Sequence, residues 1–284
     1  LIKSEHLQLT GSFKVRGSAN FVHSLPKEEA DLGVVTASSG NHGIGVSTAA
    51  ASRGIAATIF LPSSASRSKV DQIRRLGAEI VTVDSTDSND AENAARDYAI
   101  ERNVPYVSPY NHPLIIAGQG TIGKEVLEDG GHIDAVVVAV GGGGLISGIA
   151  TWIKTYSPGT RIIAASALND RAMAASIEAG AIITPHFEPT FSDGTAGGLE
   201  QDSMTFAICR ELVDQWVDVT EADIASAVTN MIDDHHQLVE GSAGVAIAAA
   251  TAHALQAPGS RIVAVSCGAN VSADALARMI IAAS

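Results

Sequence analysis

The stretch that decides the fold is residues 136–150, VVVAVGGGGLISGIA. An apolar run typical of a buried strand ends in four consecutive glycines, and a helix is predicted to begin at Leu145. Glycines let the backbone approach a ligand closely, and a helix N-terminus presents unpaired N–H groups with a partial positive charge. The stretch therefore favours a strand, loop and helix that bind a phosphate. A flexible turn without a ligand is the alternative, although four glycines in a row are costly for that purpose alone.

The glycine loop does not match the common nucleotide-binding motifs. The spacing G-x-G-x-x-G is not met, and the next predicted strand ends at Ser166 rather than at an acidic residue. No Gly-Lys-Ser/Thr follows the loop, which excludes an NTP-binding P-loop. A small phosphate-bearing cofactor is the remaining prediction.

Strands and helices alternate along most of the chain. The predicted strands are 33–38, 56–62, 78–84, 134–140, 161–166 and 261–266, and the predicted helices include 43–53, 68–76, 90–102 and 145–156. Near-continuous apolar strands separated by helices indicate parallel sheets covered on both faces. The predicted fold class is α/β, with two domains of parallel twisted sheet flanked by helices. Residues 34–111 are expected to form a small substrate-binding domain, and residues 1–33 and 112–284 a large cofactor-binding domain.

Composition excludes several classes of protein. The net charge of −13 argues against a nucleic-acid partner, and no apolar run approaches the roughly 20 residues needed to cross a bilayer. Two cysteines, Cys209 and Cys267, imply no disulfide framework, so a cytoplasmic location is expected. The opening LIKSEHLQ looks like mid-strand, from which we expect that an N-terminal segment precedes this chain.

A second strand-to-helix turn lies at residues 36–45, TASSGNHGIG. Ser38, Ser39 and Asn41 supply two hydroxyls and an amide where backbone N–H groups also point outward, which suits a carboxylate or a phenolic oxygen. The alternative is an ordinary Ser/Asn helix cap.

Lys14 lies in the stretch QLTGSFKVRG (8–17), whose small and apolar residues are typical of a strand end and a tight turn. A lysine kept from water loses its proton more easily and can form a Schiff base. The alternative is a lysine at a strand edge whose amine reaches solvent. Cys267 ends a predicted strand, either as a buried inert thiol or as a ligand contact.

Asp233, His236 and Glu240 would share one face of a helix and could there bind a metal ion. A solvated helix end is the better explanation of the stretch DDHH (233–236) that contains two of them.

Taken together, these stretches resemble the fold-type II pyridoxal-phosphate enzymes, which have the tryptophan synthase β-like fold, and within them the serine/threonine dehydratase and serine racemase group. Residues 3–17 resemble the lysine motif of that family, residues 38–43 its substrate loop, and residues 141–145 its phosphate cup. Residues 117–127 and 240–244 also match its pattern. The order is kept along the whole chain.

The resemblance implies a pyridoxal 5'-phosphate cofactor. The implied cofactor-binding residues are Phe13, Lys14, Asn41, Gly141, Gly142, Gly143, Gly144, Leu145, Glu240 and Cys267. The implied substrate-binding residues are Ser38, Ser39, Asn41, His42 and Tyr110. In this assignment Lys14 and Ser39 are catalytic, with Lys14 forming the Schiff base, and Cys267 faces the ring nitrogen.

By the same resemblance, the activity is α,β-elimination of water from an L-β-hydroxy amino acid, giving a 2-oxo acid and ammonia. The alternatives are an amino-acid racemase, in which Lys14 and Ser39 act on opposite faces, and a β-replacement enzyme. No metal is expected, because Ser166 and Ala172 stand where the family places carboxylate ligands. The family tendency is a homodimer.

Overall fold

The computed structural model describes residues 1–65 and 67–283. The strands of this part of the chain are β1 (Ile2–Ser4), β2 (Val34–Ala37), β3 (Ala57–Pro62), β4 (Glu79–Val83), β5 (Ala135–Ala139), β6 (Arg161–Ala167), β7 (Gln215–Val219) and β8 (Ile262–Ser266). A short 3-10 helix, Glu5–Leu7, follows β1. The α-helices are α1 (Lys14–Ser24), α2 (Lys27–Ala30), α3 (Asn41–Arg53), α4 (Arg67–Arg75), α5 (Ser88–Arg102), α6 (Pro113–Gly130), α7 (Gly144–Tyr156), α8 (Ala172–Ala179), α9 (Met204–Leu212), α10 (Glu221–Asp233), α11 (Gly241–Gln256) and α12 (Ala273–Ala283).

The six predicted strands and four predicted helices are all present, with ends within about two residues of those expected. The strand-like character of the opening residues is confirmed by β1, whereas the sequence patterns did not indicate β7 or α1. Among the described residues, no helix combines the length and the apolar character that crossing a bilayer requires.

The chain forms two compact units, Leu1–Ser12 with Gln119–Ser284 and Phe13–Gly118. These units differ from the predicted domains, because α1 and the start of α6 lie with the smaller one. Helix α1 packs closely on α3, where a Cβ on Gly45 would lie 3.0 Å from the Ser18 Oγ. The division into a cofactor-binding and a substrate-binding domain stays a prediction.

The larger unit contains a five-stranded parallel sheet in the order β1-β8-β5-β6-β7. All residues of β5 are buried, as expected for a strand covered on both faces. On one face, Val137 and Ile163 pack with Val245 of α11. Because the strands are parallel, the glycine loop after β5 and Cys267 after β8 leave neighbouring strands at the same edge.

The smaller unit contains a three-stranded parallel sheet in the order β2-β3-β4. Residues of β3 alternate between two cores: Ile59 and Leu61 pack with Ile44 of α3, whereas Phe60 packs with Ala95 of α5. Both faces of this sheet are therefore covered, and the loop that leads into α3 emerges at its carboxyl edge.

Candidate functional site

The glycine loop of the larger unit is shaped to present backbone N–H groups. Gly143 is the N-cap of α7 with φ +83, in the left-handed region that favours glycine, and no side chain caps the helix. A Cβ on Gly141 would lie 2.5 Å from the Thr195 carbonyl oxygen, and one on Gly143 would lie 2.8 Å from Met173 Cε. The Thr195 backbone therefore leaves no room for a side chain at position 141, and the left-handed φ favours glycine at position 143. The N–H groups in the first turn of α7 provide the hydrogen-bond donors that an anion needs.

Thr205 contacts this loop from α9. Its hydroxyl donates to the Gly142 carbonyl oxygen at 2.7 Å, and its side chain is fully buried. Sequence reasoning missed Thr205, because 63 residues separate it from Gly142 and a single threonine in the first turn of a helix carries no motif.

Glu240 and Cys267 are brought together at the end of β8. Both side chains are buried, with 3% exposure each. The Glu240 N–H donates to the Gly268 carbonyl at 3.0 Å, and a Cβ on Gly268 would lie 2.3 Å from Glu240 Oε1. The Glu240 carboxylate thus lies directly against the residue that follows Cys267.

Two buried hydroxyls in β6 and β8 are unsatisfied. Ser166 Oγ and Ser266 Oγ have no hydrogen-bond partner among the described residues. Buried polar atoms are normally paired, so these two hydroxyls are available to a further polar group. Within the same part of the chain, no three His, Cys, Asp or Glu side chains come together in a metal-binding arrangement.

In the smaller unit, Lys14 is the first residue of α1, not the end of a strand as its surroundings in the sequence suggested. Its Nζ donates to the Pro109 carbonyl oxygen at 2.7 Å and lies 5.4 Å from the centroid of the Phe13 ring. The predicted contact of Phe13 with the cofactor ring stays a prediction. Pro109, which sequence reasoning did not single out, supplies the acceptor for the amine.

His42 is held as a neutral imidazole. Burial, together with the nearby positive charge of Lys14, lowers the pKa of His42 from 6.5 to about 3. Its Nε2–H donates to the Val107 carbonyl at 2.9 Å, and the Thr36 hydroxyl donates to the same oxygen at 2.7 Å. His42 and Thr36 therefore fix the segment that precedes Pro109. As a neutral group, His42 offers a substrate carboxylate a dipole and no positive charge.

The loop 38–43 leads directly into the N-terminus of α3. The N-cap is Gly40, and no side chain caps this helix, so the simple Ser/Asn cap interpretation is wrong. The Gly40 N–H donates to Ser38 Oγ at 3.2 Å. Ser38, Ser39 and Asn41 are partly exposed at a helix N-terminus, where the macrodipole favours a carboxylate.

Tyr110 is partly buried and follows Pro109, whose carbonyl accepts from Lys14. The Ser108 hydroxyl accepts from the N–H groups of Tyr110 and Asn111 at 3.4 and 2.9 Å. Tyr110 therefore lies on the same short segment as the acceptor of the lysine amine.

Gly43→Ala is expected to lower kcat/KM by at least about 100-fold, because a displacement of about 1 Å in a site has such an effect. A Cβ at this position would lie 2.1 Å from the Ser38 carbonyl oxygen, so the loop 38–43 must shift. Steady-state kinetics with a β-hydroxy amino acid measure the effect. Gly159→Ala is the matched control, since a Cβ there meets nothing within 4 Å. Unchanged kinetics in Gly43→Ala would show that this loop does not contact the substrate.

Comparison with known proteins identifies the family. The profile of the pyridoxal-phosphate dependent enzymes matches residues 1–268. L-threonine ammonia-lyase of Thermotoga maritima is 38% identical over 279 residues, which are 98% of this chain and 69% of that protein. The chain spans 45% and 61% of the lengths of two further curated relatives.

Solved structures agree in fold. The processed form of threonine deaminase isoform 2 from Solanum lycopersicum has a TM-score of 0.94 at 36% identity, covering 99% of this chain and 82% of that one. Maize serine racemase has a TM-score of 0.90 at 33% identity, covering 99% and 86%. The chain belongs to the pyridoxal-phosphate dependent enzyme family. The predicted family, the α/β fold class and the cofactor are thereby confirmed.

The residues present fit pyridoxal phosphate. In the larger unit, the glycine loop offers uncapped N–H groups of the kind that bind an anion. In the smaller unit, Lys14 offers a primary amine of the kind that reacts with an aldehyde. The unsatisfied Ser166 and Ser266 hydroxyls are consistent with a polar ligand near the sheet edge where the glycine loop emerges.

Proposed function

We propose that this protein is a pyridoxal-phosphate dependent ammonia-lyase that removes water from an L-β-hydroxy amino acid such as threonine or serine. The products are a 2-oxo acid and ammonia. The observation that carries the proposal is the placement of the Lys14 amine on the Pro109 carbonyl, in a chain similar over nearly its whole length to L-threonine ammonia-lyase. The proposal concerns the activity of this chain, which spans only part of the length of several relatives.

Pyridoxal phosphate, when bound, supplies an aldehyde that takes up the substrate amine and a ring that acidifies the Cα–H bond. Lys14 first holds the cofactor and then, as a free amine, removes the Cα proton at Nζ. The N–H groups of Gly141–Gly144 and Leu145 would hold the phosphate, and Asn41 would hold the ring hydroxyl. The buried carboxylate of Glu240 would belong to the same set of cofactor-binding groups.

The substrate carboxylate is held at the N-terminus of α3. Ser38 and Ser39 supply hydroxyl donors there, and the helix dipole adds to them. His42 keeps the neighbouring segment in place through its bond to the Val107 carbonyl. The Cα–H bond is thereby oriented relative to Lys14.

Cys267 biases the reaction toward elimination. A thiol lacks the negative charge with which a carboxylate would stabilise a protonated ring nitrogen. Without that charge a long-lived carbanion at Cα is disfavoured, and a substrate whose β-hydroxyl leaves with the Cα proton avoids it. Elimination is therefore favoured over transamination.

The experiment is release of 2-oxo acid from L-threonine and L-serine by the purified, cofactor-loaded protein. 2-Aminobutyrate and L-alanine are the matched controls, because they lack only the β-hydroxyl. We expect 2-oxobutyrate and pyruvate in amounts equal to the ammonia formed, and neither product from the controls. Absence of 2-oxo acid from every β-hydroxy amino acid tested would refute the proposed activity.

Racemisation is the second candidate, supported by the similarity to maize serine racemase. Ser39 would then protonate Cα from the face opposite Lys14. Chiral analysis of the remaining serine separates the two, since an ammonia-lyase leaves no D-serine. Incorporation of added sulfide would instead indicate β-replacement.

Tyr110 is proposed to contact the β-substituent. A panel of β-hydroxy amino acids with methyl, carboxylate and aromatic substituents would define the preference. We also propose that the protein is cytoplasmic and forms a homodimer. Sedimentation equilibrium of the cofactor-loaded protein would test the dimer.

A further inference from the structure

Two hydroxyl groups on the N-terminal side of α9 form a directed chain to the glycine loop. Thr205 is fully buried and Ser203 is 6% exposed. The Thr205 hydroxyl donates to the Gly142 carbonyl at 2.7 Å, and the Ser203 and Thr205 oxygens lie 2.6 Å apart. Because the carbonyl can only accept, the Thr205 hydrogen is committed to it, and Ser203 must donate to Thr205.

This contact fixes the orientation of a whole peptide group. In a trans peptide the C=O of Gly142 and the N–H of Gly143 point in opposite directions. With the carbonyl directed at Thr205, the Gly143 N–H is directed away from α9. Gly143 has φ +83 and no side chain to restrict it, so the backbone alone would allow this peptide to rotate.

The packing shows which side of the loop is closed. A Cβ on Gly143 would lie 2.8 Å from Met173 Cε and 3.1 Å from Thr205 Cβ. A Cβ on Gly141 would meet the Thr195 backbone at 2.5 Å. The loop thus rests on Met173, Thr195 and Thr205.

We propose that Thr205 is a positioning residue for the phosphate-binding loop. Its hydroxyl, itself held by Ser203, keeps the Gly142–Gly143 peptide oriented with the Gly143 N–H toward the cofactor phosphate. This inference rests on the proposed function of the glycine loop as the phosphate site. It assigns the role to a residue that contacts the loop from α9.

The test compares two ligands that differ only in the phosphate. Thr205→Val removes the hydroxyl and nearly keeps the shape of the side chain. We expect the affinity of the cofactor-free full chain for pyridoxal phosphate to fall about 10-fold, as for loss of one hydrogen bond, and that for pyridoxal to stay unchanged. The 31P NMR signal of the bound phosphate should shift in the variant, and Thr205→Ser should restore both properties.

The chain offers a matched control at Thr160. This residue is 2% exposed, donates to the Ile133 carbonyl at 2.8 Å and pairs with Ser157 Oγ at 2.9 Å. Thr160→Val therefore removes the same kind of hydrogen bond just before the first residue of β6, at the edge of the sheet opposite to the glycine loop. It should lower the free energy of unfolding by a similar amount without changing the ratio of the two affinities.

Equal loss of affinity for both ligands, or no loss, in a folded Thr205→Val protein would overturn the inference. Equal affinity of the wild-type chain for both ligands would overturn it as well, since the loop would then not bind phosphate. Failure of the proposed lyase activity alone would leave the ratio of affinities, and hence this inference, intact.

Discussion

Lys14→Ala is expected to lower kcat for 2-oxo acid release by at least about 10³-fold, because in the proposed function one amine both holds the cofactor and moves the Cα proton. Alanine can do neither. The same variant should lose covalent retention of the cofactor, which borohydride reduction followed by peptide mapping detects at Lys14 in the wild type. Product release and labelling measure the two roles separately.

Lys27→Ala is the control for removing a lysine from the smaller unit, Phe13–Gly118. Lys27 is 80% exposed and pairs with Asp31 on the surface, so its loss should change neither property. If Lys14→Ala kept full activity, or if the label appeared on another lysine, the assignment of the catalytic amine would be wrong.

The stability of the protein is expected to fall as the pH is lowered from about 7.5 to about 4.5, and His42 alone accounts for about 2–3 kcal/mol of the fall. In the unfolded chain His42 binds a proton near its ordinary pKa of 6.5, whereas in the folded chain its pKa is about 3. Acid therefore favours the unfolded state between these two values. Above about pH 7.5 the group is almost entirely neutral in both states, and its contribution no longer varies.

Urea unfolding at the two pH values measures this effect. His42→Gln retains an N–H donor for the Val107 carbonyl and does not titrate, so the difference between the two pH values should shrink by that amount. Exposed His23 provides the control substitution, His23→Gln. Asp170, whose pKa burial raises, acts in the opposite direction and is common to all variants. A His42→Gln protein with the same pH dependence as the wild type would show that His42 is not buried as a neutral group.

The sheets were largely predictable from the sequence, because buried parallel strands such as β5 are continuous apolar runs. Strand β7 was not, since it lies at the edge of its sheet and contains the polar residues Gln215 and Asp218. Helix α1 was missed for a different reason. It contains Gly17 and Ser18, which disfavour a helix locally but allow close packing, as a Cβ on Gly118 would lie 2.6 Å from Gly17 Cα.

The functional residues of the candidate site were predictable where they form a recognisable pattern within a short stretch of sequence. Four glycines after a strand, and a lysine among small residues, are visible in a short window. The supports of these groups are not, because Pro109 is 95 residues from Lys14 and Thr205 is 63 residues from Gly142. Only the folded chain reveals which carbonyl receives the amine and which hydroxyl holds the loop.

The acceptor of the Lys14 amine is a main-chain carbonyl, which no substitution at Pro109 deletes. Its position is set by the path of the backbone, and the neighbouring side chain is Tyr110, the proposed contact of the β-substituent. A replacement of Tyr110 that shifts this stretch of backbone would therefore also displace the acceptor of the amine. In engineering this enzyme, changes of selectivity at Tyr110 should therefore be chosen to leave that backbone in place.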